Sequence, residues 1–332
     1  MPEEGVRRRA RKAAALIEGR CPFPSFQQPI GGTGRVRIVD LVAFDRTRAQ
    51  TTSLESWQSE RKMSDATRAY LGSWPEFYDR LLVPVLFEPY ARLLAGRLQS
   101  MTSGNVLEIA AGTGVVTREL IRTLPEAVGI TATDLNQPML DRAQSYAGAE
   151  RVRWQQADAL ALPFGDGSFE CIVCQFGVMF FADKQAAFRE ALRVLKPDGR
   201  FLFSVWDRRE EIAIQYIASE VVGRLLSLDP GSLLSPPYHD RVAVYSDLTA
   251  AGFVSISIET LPERSRTNSA REAAIATCHG SMLRSHIESR APDRLEEITN
   301  AVTTAVAERY GPGPIDAPMQ AILFTSGRPT AL

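Results

Sequence analysis

Residues Asn105 to Leu120 read NVLEIAAGTGVVTREL, and the change of character inside this stretch decides the fold. A short apolar run ending at Ala111 meets two glycines, Gly112 and Gly114. A helical spacing of Val116, Leu120 and Leu124 follows. Strand, glycine turn and helix in this order offer backbone N–H groups to a nucleotide-like ligand. The pattern leaves open a dinucleotide, a phosphate, or a ligand with no phosphate at all.

The same alternation continues outward. AVGITATD, RVRWQQAD, FECIVCQFG and RFLFSVWD read as further strands. Helices are expected at Val115 to Leu124, over PMLDRAQSYA, and over DKQAAFREALRVL, where Pro197 and Gly199 stop the pattern. Alternating strands and helices predict a doubly wound parallel sheet with helices on both faces. Upstream, PEFYDRLLVPVLFEPYARLLAGRL has helical spacing that Pro84 and Pro89 should break into pieces. Downstream come a helix from Ile212 to Leu226, a loop rich in proline and serine, and a short helix over VAVYSDLTAAGF. The strand VSISIETL follows, then about fifty helical residues with a stripe of Leu295, Ile298, Val302, Ala305 and Val306, and a last strand over MQAILFTSG.

Bulk properties exclude several classes. A chain of 332 residues with net charge -1 has no concentrated basic surface of the kind nucleic acid demands. No apolar run approaches the roughly 18 residues of a membrane span. Four cysteines are too few for a disulfide scaffold, and Cys171 and Cys174 lie three apart in a strand, where side chains point to opposite faces. That is a structural pair in a reducing, cytoplasmic setting rather than a redox centre. Residues 1–62 carry 12 Lys/Arg against 7 Asp/Glu, a net of +5, and lack a sustained period. A flexible basic extension is expected there, with a folded domain from Met63 onward.

Three features narrow the ligand. The dinucleotide fingerprint G-x-G-x-x-G has Thr117 at its third glycine. The loop holds no lysine to cradle phosphate. Glu108 stands just before it, where a carboxylate repels pyrophosphate but suits a ligand bearing an ammonium and a sulfonium. The stretch VLEIAAGTGVVTREL resembles the first motif of class I S-adenosylmethionine-dependent methyltransferases. QQADALALPFGDGSFECIVCQFGVMFF and REALRVLKPDGRFLFSVWD resemble later motifs of the quinone-biosynthesis-like (ubiquinone/menaquinone C-methyltransferase), methyltransferase type 11 branch. The likeness runs from about Tyr78 to Asp207. It implies an α/β fold: a doubly wound, seven-stranded, mostly parallel Rossmann-like sheet, with an antiparallel last strand and a helical insert before it that is longer than the family's usual hairpin. It also implies a cofactor core at about 100–207, with substrate or lid elements at about 208–245 and 265–318.

By the same resemblance, Asp134 binds both ribose hydroxyls and Asp158 accepts from the adenine amino group beside Ala159. Glu108, Ala110, Gly112, Gly114, Leu135 and Gln175 complete the expected set for S-adenosyl-L-methionine. The loop after the fourth strand reads CQFGVMFF rather than a motif of the N-P-P-Y type, which favours a small, partly apolar acceptor over a nucleobase. Methylation at oxygen, carbon or nitrogen stays open. His239 and His279 are the candidate proton acceptors, with His286 in the same insert. Tyr70, Trp74, Phe77 and Tyr78 stand either as a cover for the site or as the anchor of the first helix. No metal site is expected, since Cys278 and His279 are adjacent and lack ligand spacing. A homodimer is compatible with the sequence. The rival readings are a cofactor-binding protein without catalysis and a nicotinamide-dependent reductase.

Overall fold

The computed structural model describes residues 74–330; the basic segment 1–62, Met63 and Tyr70 lie outside the described residues. Two helical segments come first, α1 (Tyr78–Phe87) and α2 (Glu88–Gly96). They run into one another through Pro84 instead of breaking there. Proline removes one N–H and crowds the preceding turn. The chain accommodates it by opening α1 into a wider helix, so that Glu88 N–H reaches back five residues to Val83 O. Pro89 keeps its expected place in the first turn of α2, where no N–H donor is needed.

The alternating region forms β1 (Gly104–Ile109), α3 (Val115–Thr123), β2 (Val128–Asp134), α4 (Gln137–Gln144), β3 (Val152–Gln156), β4 (Phe169–Gln175), α5 (Lys184–Val194) and β5 (Leu195–Trp206). Then come α6 (Ala213–Leu226), α7 (Arg241–Ala251), β6 (Val254–Thr267), α8 (Ala270–Gly280), α9 (Leu283–Arg290), α10 (Leu295–Tyr310) and β7 (Ile315–Gly327). One sheet holds all seven strands in the order β3-β2-β1-β4-β5-β7-β6. The first five strands pair in parallel, and β7 runs antiparallel to both β5 and β6. The sheet is thus mostly parallel with a reversed last strand and a helical insert before it.

Chain order reverses at β1, which lies between β2 and β4. Crossovers on either side of such a point leave opposite faces of the sheet, the arrangement in which open α/β sheets place a ligand crevice, here at the carboxyl ends of β1, β2 and β4. Central strands read as continuous apolar runs because helices cover both faces. Leu107, Ile172, Val173, Phe201 and Phe203 are fully buried, and Phe203 stacks on Phe324 of β7 with ring centroids 5.1 Å apart.

Two strands exceed their apolar runs. Leu195 already pairs with Phe169, then Lys196 to Gly199 bulge out before pairing resumes at Arg200. β6 and β7 stay paired as far as Thr267 opposite Ile315, through the mixed stretch Pro262 to Ser265. Only one face of that ribbon is covered, so its signal is small polar residues facing inward (Ser265, Thr267) rather than an apolar run. A second hydrophobic core gathers α6, α8, α9 and α10 around Val222, Ala274, Ile287, Ile298, Val302 and Val306. Ile315 and Ala317 of β7 also belong to it. Among the described residues no helix is long and apolar enough to cross a membrane.

Candidate active site

The glycine loop is shaped by backbone that L residues rarely adopt. Ala110, Gly112 and Gly114 all have positive φ, at 56°, 56° and 79°. Left-handed backbone costs a side-chain-bearing residue of order 1 kcal/mol, and such strain gathers where geometry matters. Each glycine has its own reason. A Cβ on Gly114 would press on Ala143 Cβ at 3.0 Å and Trp154 at 3.2 Å, so this glycine lets the start of α3 pack closely. A Cβ on Gly112 would meet no protein atom within 4 Å, so this glycine faces the crevice.

Asp134 ends β2 with its carboxylate turned to the same loop. Its Oδ2 accepts from Gly112 N at 2.8 Å and its Oδ1 from Asn136 N at 2.8 Å. Burial raises its pKa, and these backbone donors oppose the rise. Each carboxylate oxygen offers two lone pairs, so both keep acceptor capacity for a pair of hydroxyls. Next to it, Leu135 is 66% exposed, an apolar side chain held at the lip of the crevice. Asp158 is exposed and closes a turn by accepting from Leu160 N at 2.9 Å, with Ala159 buried beside it.

Glu108 lies near the end of β1. Its side chain is 1% exposed and tucks under the loop, where Thr117 Oγ1 donates to Oε2 at 2.5 Å. Burial pushes its pKa up to about 8, while Thr117 and the nearby Arg118 pull it down. Thr117 occupies the position of the third glycine in a dinucleotide fingerprint, and its hydroxyl serves this carboxyl. A glycine there has no donor to give.

At the end of β4, Gln175 Nε2 donates to Phe87 O at 3.2 Å, which leaves Oε1 buried with no hydrogen-bond partner among the described residues. An unmatched buried acceptor is costly and marks a place for a donor. The next residue, Phe176, also has positive φ (56°) and stacks on Trp206 at 3.9 Å. Tyr90, Phe87 and Tyr78 extend this ring cluster. Gly177 follows, and a Cβ there would fall 2.5 Å from Ala110 Cβ and 2.7 Å from Cys174 Sγ. The loops after β1 and β4 are therefore pressed together, an approach that the sequence reading missed. The adjacency of Gly177 to the strand end is the one signal that pointed to it.

Of the aromatic candidates upstream, Tyr78 packs against Trp74 and Phe87, and burial together with the charges of Asp134 and Asp79 raises its phenol pKa. Phe77 lies beside Arg284 of α9, whose guanidinium stands 4.6 Å from the ring centroid.

The three histidines lie on separate segments, His239 before α7, His279 in α8 and His286 in α9. His279 Nε2 is 3.1 Å from Thr299 Oγ1, between α8 and α10, and burial lowers its pKa. His286 is half-buried in α9, with its pKa lowered by burial and Arg290. His239 precedes the Asp240 cap of α7; its neighbour Tyr238 donates to Asp247 Oδ2 at 2.7 Å and lies under Lys184 of the segment after β4. Cys171 and Cys174 lie buried on opposite faces of β4, and burial pushes both thiols up to about 12. Among the described residues no group of three His, Cys, Asp or Glu side chains can hold a metal ion.

Residues 106–199 match a family described as a methyltransferase domain. The uncharacterized methyltransferase YcgJ of Bacillus subtilis (strain 168) is 43% identical over 100 residues, covering 29% of this chain and 38% of that protein. A protein of Geotalea daltonii named ubiquinone/menaquinone biosynthesis C-methyltransferase UbiE is 33% identical over 131 residues, 38% of this chain and 55% of its own length. The crystal structure of YcgJ aligns with 73% of this chain and 100% of its own, at 22% identity and a TM-score of 0.49. This chain spans about half or less of the length of these curated relatives.

Proposed function

We propose that residues 106–199, which match a family described as a methyltransferase domain, form the core of a class I S-adenosylmethionine-dependent methyltransferase that acts on a small, partly apolar acceptor. The observation that carries the reading is the carboxylate of Asp134 beside the open backbone of Gly112. Asp134, Gly112 and Leu135 offer paired acceptors, an open backbone face and an apolar lip, which fit a nucleoside. Near the loop after β4, the buried rings of Phe87, Tyr90 and Phe176, with half-buried Trp206, form an aromatic cluster that would back a flat or greasy acceptor.

When bound, S-adenosylmethionine supplies a methyl group already activated on a sulfonium. The chain then has three tasks. Asp134 would hold the ribose, Ala159 and Leu135 would flank the base, and Gln175 Oε1 would accept from the ammonium of the methionine part. Asp158 would take the adenine amino group. The aromatic cluster would help keep water from the reacting atoms during in-line displacement. The α8–α10 insert and the segment around His239 would close the acceptor side, with His239 the candidate for any proton removal; His279 is engaged with Thr299 instead. The likeness to proteins named quinone C-methyltransferases supports a ring-bearing acceptor.

The test is calorimetry with S-adenosylhomocysteine on the full chain and on Asp134→Ala. Ligand at about a hundred times its dissociation constant stabilises by roughly 2.7 kcal/mol, which raises Tm by several degrees. A shift in the parent protein that disappears in the variant supports the reading, and a panel of ring-bearing acceptors then tests turnover. No shift in the parent protein refutes it. Binding without turnover over the panel supports instead a cofactor-binding protein that does not catalyse.

A further inference from the structure

Resting on the cofactor reading above, we propose that Asp79, on the first helix, is a positioning residue that sets the glycine loop for the cofactor and couples docking of α1 to cofactor binding. The Asp79 side chain is fully removed from solvent. Its Oδ1 accepts from Thr113 Oγ1 at 2.9 Å, and its Oδ2 accepts from Arg142 Nε at 2.8 Å and from the Tyr146 hydroxyl. Arg118 approaches Oδ1 at 3.5 Å. These partners come from the loop, α3, α4 and the turn just after α4, so one carboxylate ties the first helix to the loop and to the helices that follow β1 and β2.

Thr113 is the point of purchase. It lies between Gly112 and Gly114, both in left-handed backbone, and is itself 1% exposed. Asp79 holds its hydroxyl, and Arg118 donates to its carbonyl at 2.7 Å, with the guanidinium 4.0 Å over the Tyr146 ring. Two glycines give a loop freedom; a residue clamped at both ends takes it away. The direction of Gly112 N–H, and with it the bond to Asp134, follows from where Thr113 is held.

A buried carboxylate between two arginines is weak evidence for stability, because apolar packing of the same volume often does as well. Such a group gains most from fixing one geometry among several. Here that geometry belongs to the ligand loop, while Tyr78, one residue away, is close enough for the charge of Asp134 to raise its phenol pKa. A ligand that favours the held loop therefore favours the docked helix, and the coupling is reciprocal.

The decisive variant is Thr113→Val, which keeps the shape, removes the hydroxyl and leaves the arginine pairs of Asp79 in place. Thr113→Ser restores the donor. On the full chain, S-adenosylhomocysteine affinity is measured by calorimetry and α1 protection by hydrogen exchange. The parent protein should bind and slow exchange across residues 78–87. Thr113→Val should bind about tenfold more weakly, the scale of one hydrogen bond to a charged group, and lose most of that slowing; Thr113→Ser should return to within about twofold. Equal binding by the parent protein and Thr113→Val would overturn the role of Asp79 and leave the cofactor reading intact. No binding by the parent protein would sink both.

Discussion

Replacing Glu108 by glutamine should flatten the pH dependence of stability between pH 5 and 8. The carboxyl is 1% exposed, with one hydroxyl donated by Thr117, and burial carries its pKa from the ordinary 4.5 to about 8. In the unfolded chain the same group ionises near its ordinary value. Across the window between the two, the folded protein keeps a proton that the unfolded chain has lost. The folded state then binds more protons, so stability is full below about pH 4.5 and is lost as pH rises through 8. The loss proceeds at up to about 1.4 kcal/mol per pH unit, or roughly 2 kcal/mol from pH 6 to pH 8. For a domain of this size that is about 4–8 °C in Tm. The side-chain amide in Glu108→Gln stays neutral throughout and still offers Thr117 an acceptor. Calorimetry of both proteins at pH 6 and pH 8 cancels every other titrating group. The gap between Glu108→Gln and the parent protein should therefore grow in favour of the variant by about that amount on going to pH 8. An equal gap at both pH values would refute the idea that burial holds this proton.

Two further variants probe the same floor. Thr117→Val keeps the packing but leaves Glu108 without its hydroxyl, which should cost about 1–3 kcal/mol in a denaturant melt; a loss below about 0.5 kcal/mol would mean the bond contributes little. Gly177→Ala drives a Cβ to 2.5 Å from Ala110 Cβ and 2.7 Å from Cys174 Sγ, which should cost about 1–3 kcal/mol and weaken S-adenosylhomocysteine binding together. Adding Cys174→Ala should recover part of the stability by relieving one of those contacts, and no recovery would place the strain wholly at Ala110.

Local signals made most of the fold legible. Apolar runs separated by glycines and helical stripes gave β1 to β5 and the helices between them, and Asp134 stood out because it ends a strand at a fixed distance from the loop. What stayed hidden depends on contacts between distant segments. Asp79 looks like one more polar residue on a helix until Arg118, Arg142 and Thr113 close around it. Thr117 reads as a defect in a motif until Glu108 turns beneath the loop. Pro84 reads as a break because sequence spacing assumes one helical pitch, and the chain changed the pitch instead. The far half of β6 was invisible for a different reason: a ribbon covered on one side needs no apolar run. His279 attracted notice by residue type alone, and Thr299 gives its ring a packing partner that no pattern in α8 announces.

The last strand has a consequence for how this protein comes apart. β7 leaves the helical bundle with Ile315 and Ala317 and enters the sheet with Ile322 and Phe324, so one rod of backbone is mortared into both cores. Neither half can shed it and remain whole. Heat or force that loosens the bundle pulls on the strand beside β5, and damage to the sheet unmoors the bundle. On the scale of a single molecule the two halves should melt as one, with a single calorimetric peak for residues 74–330.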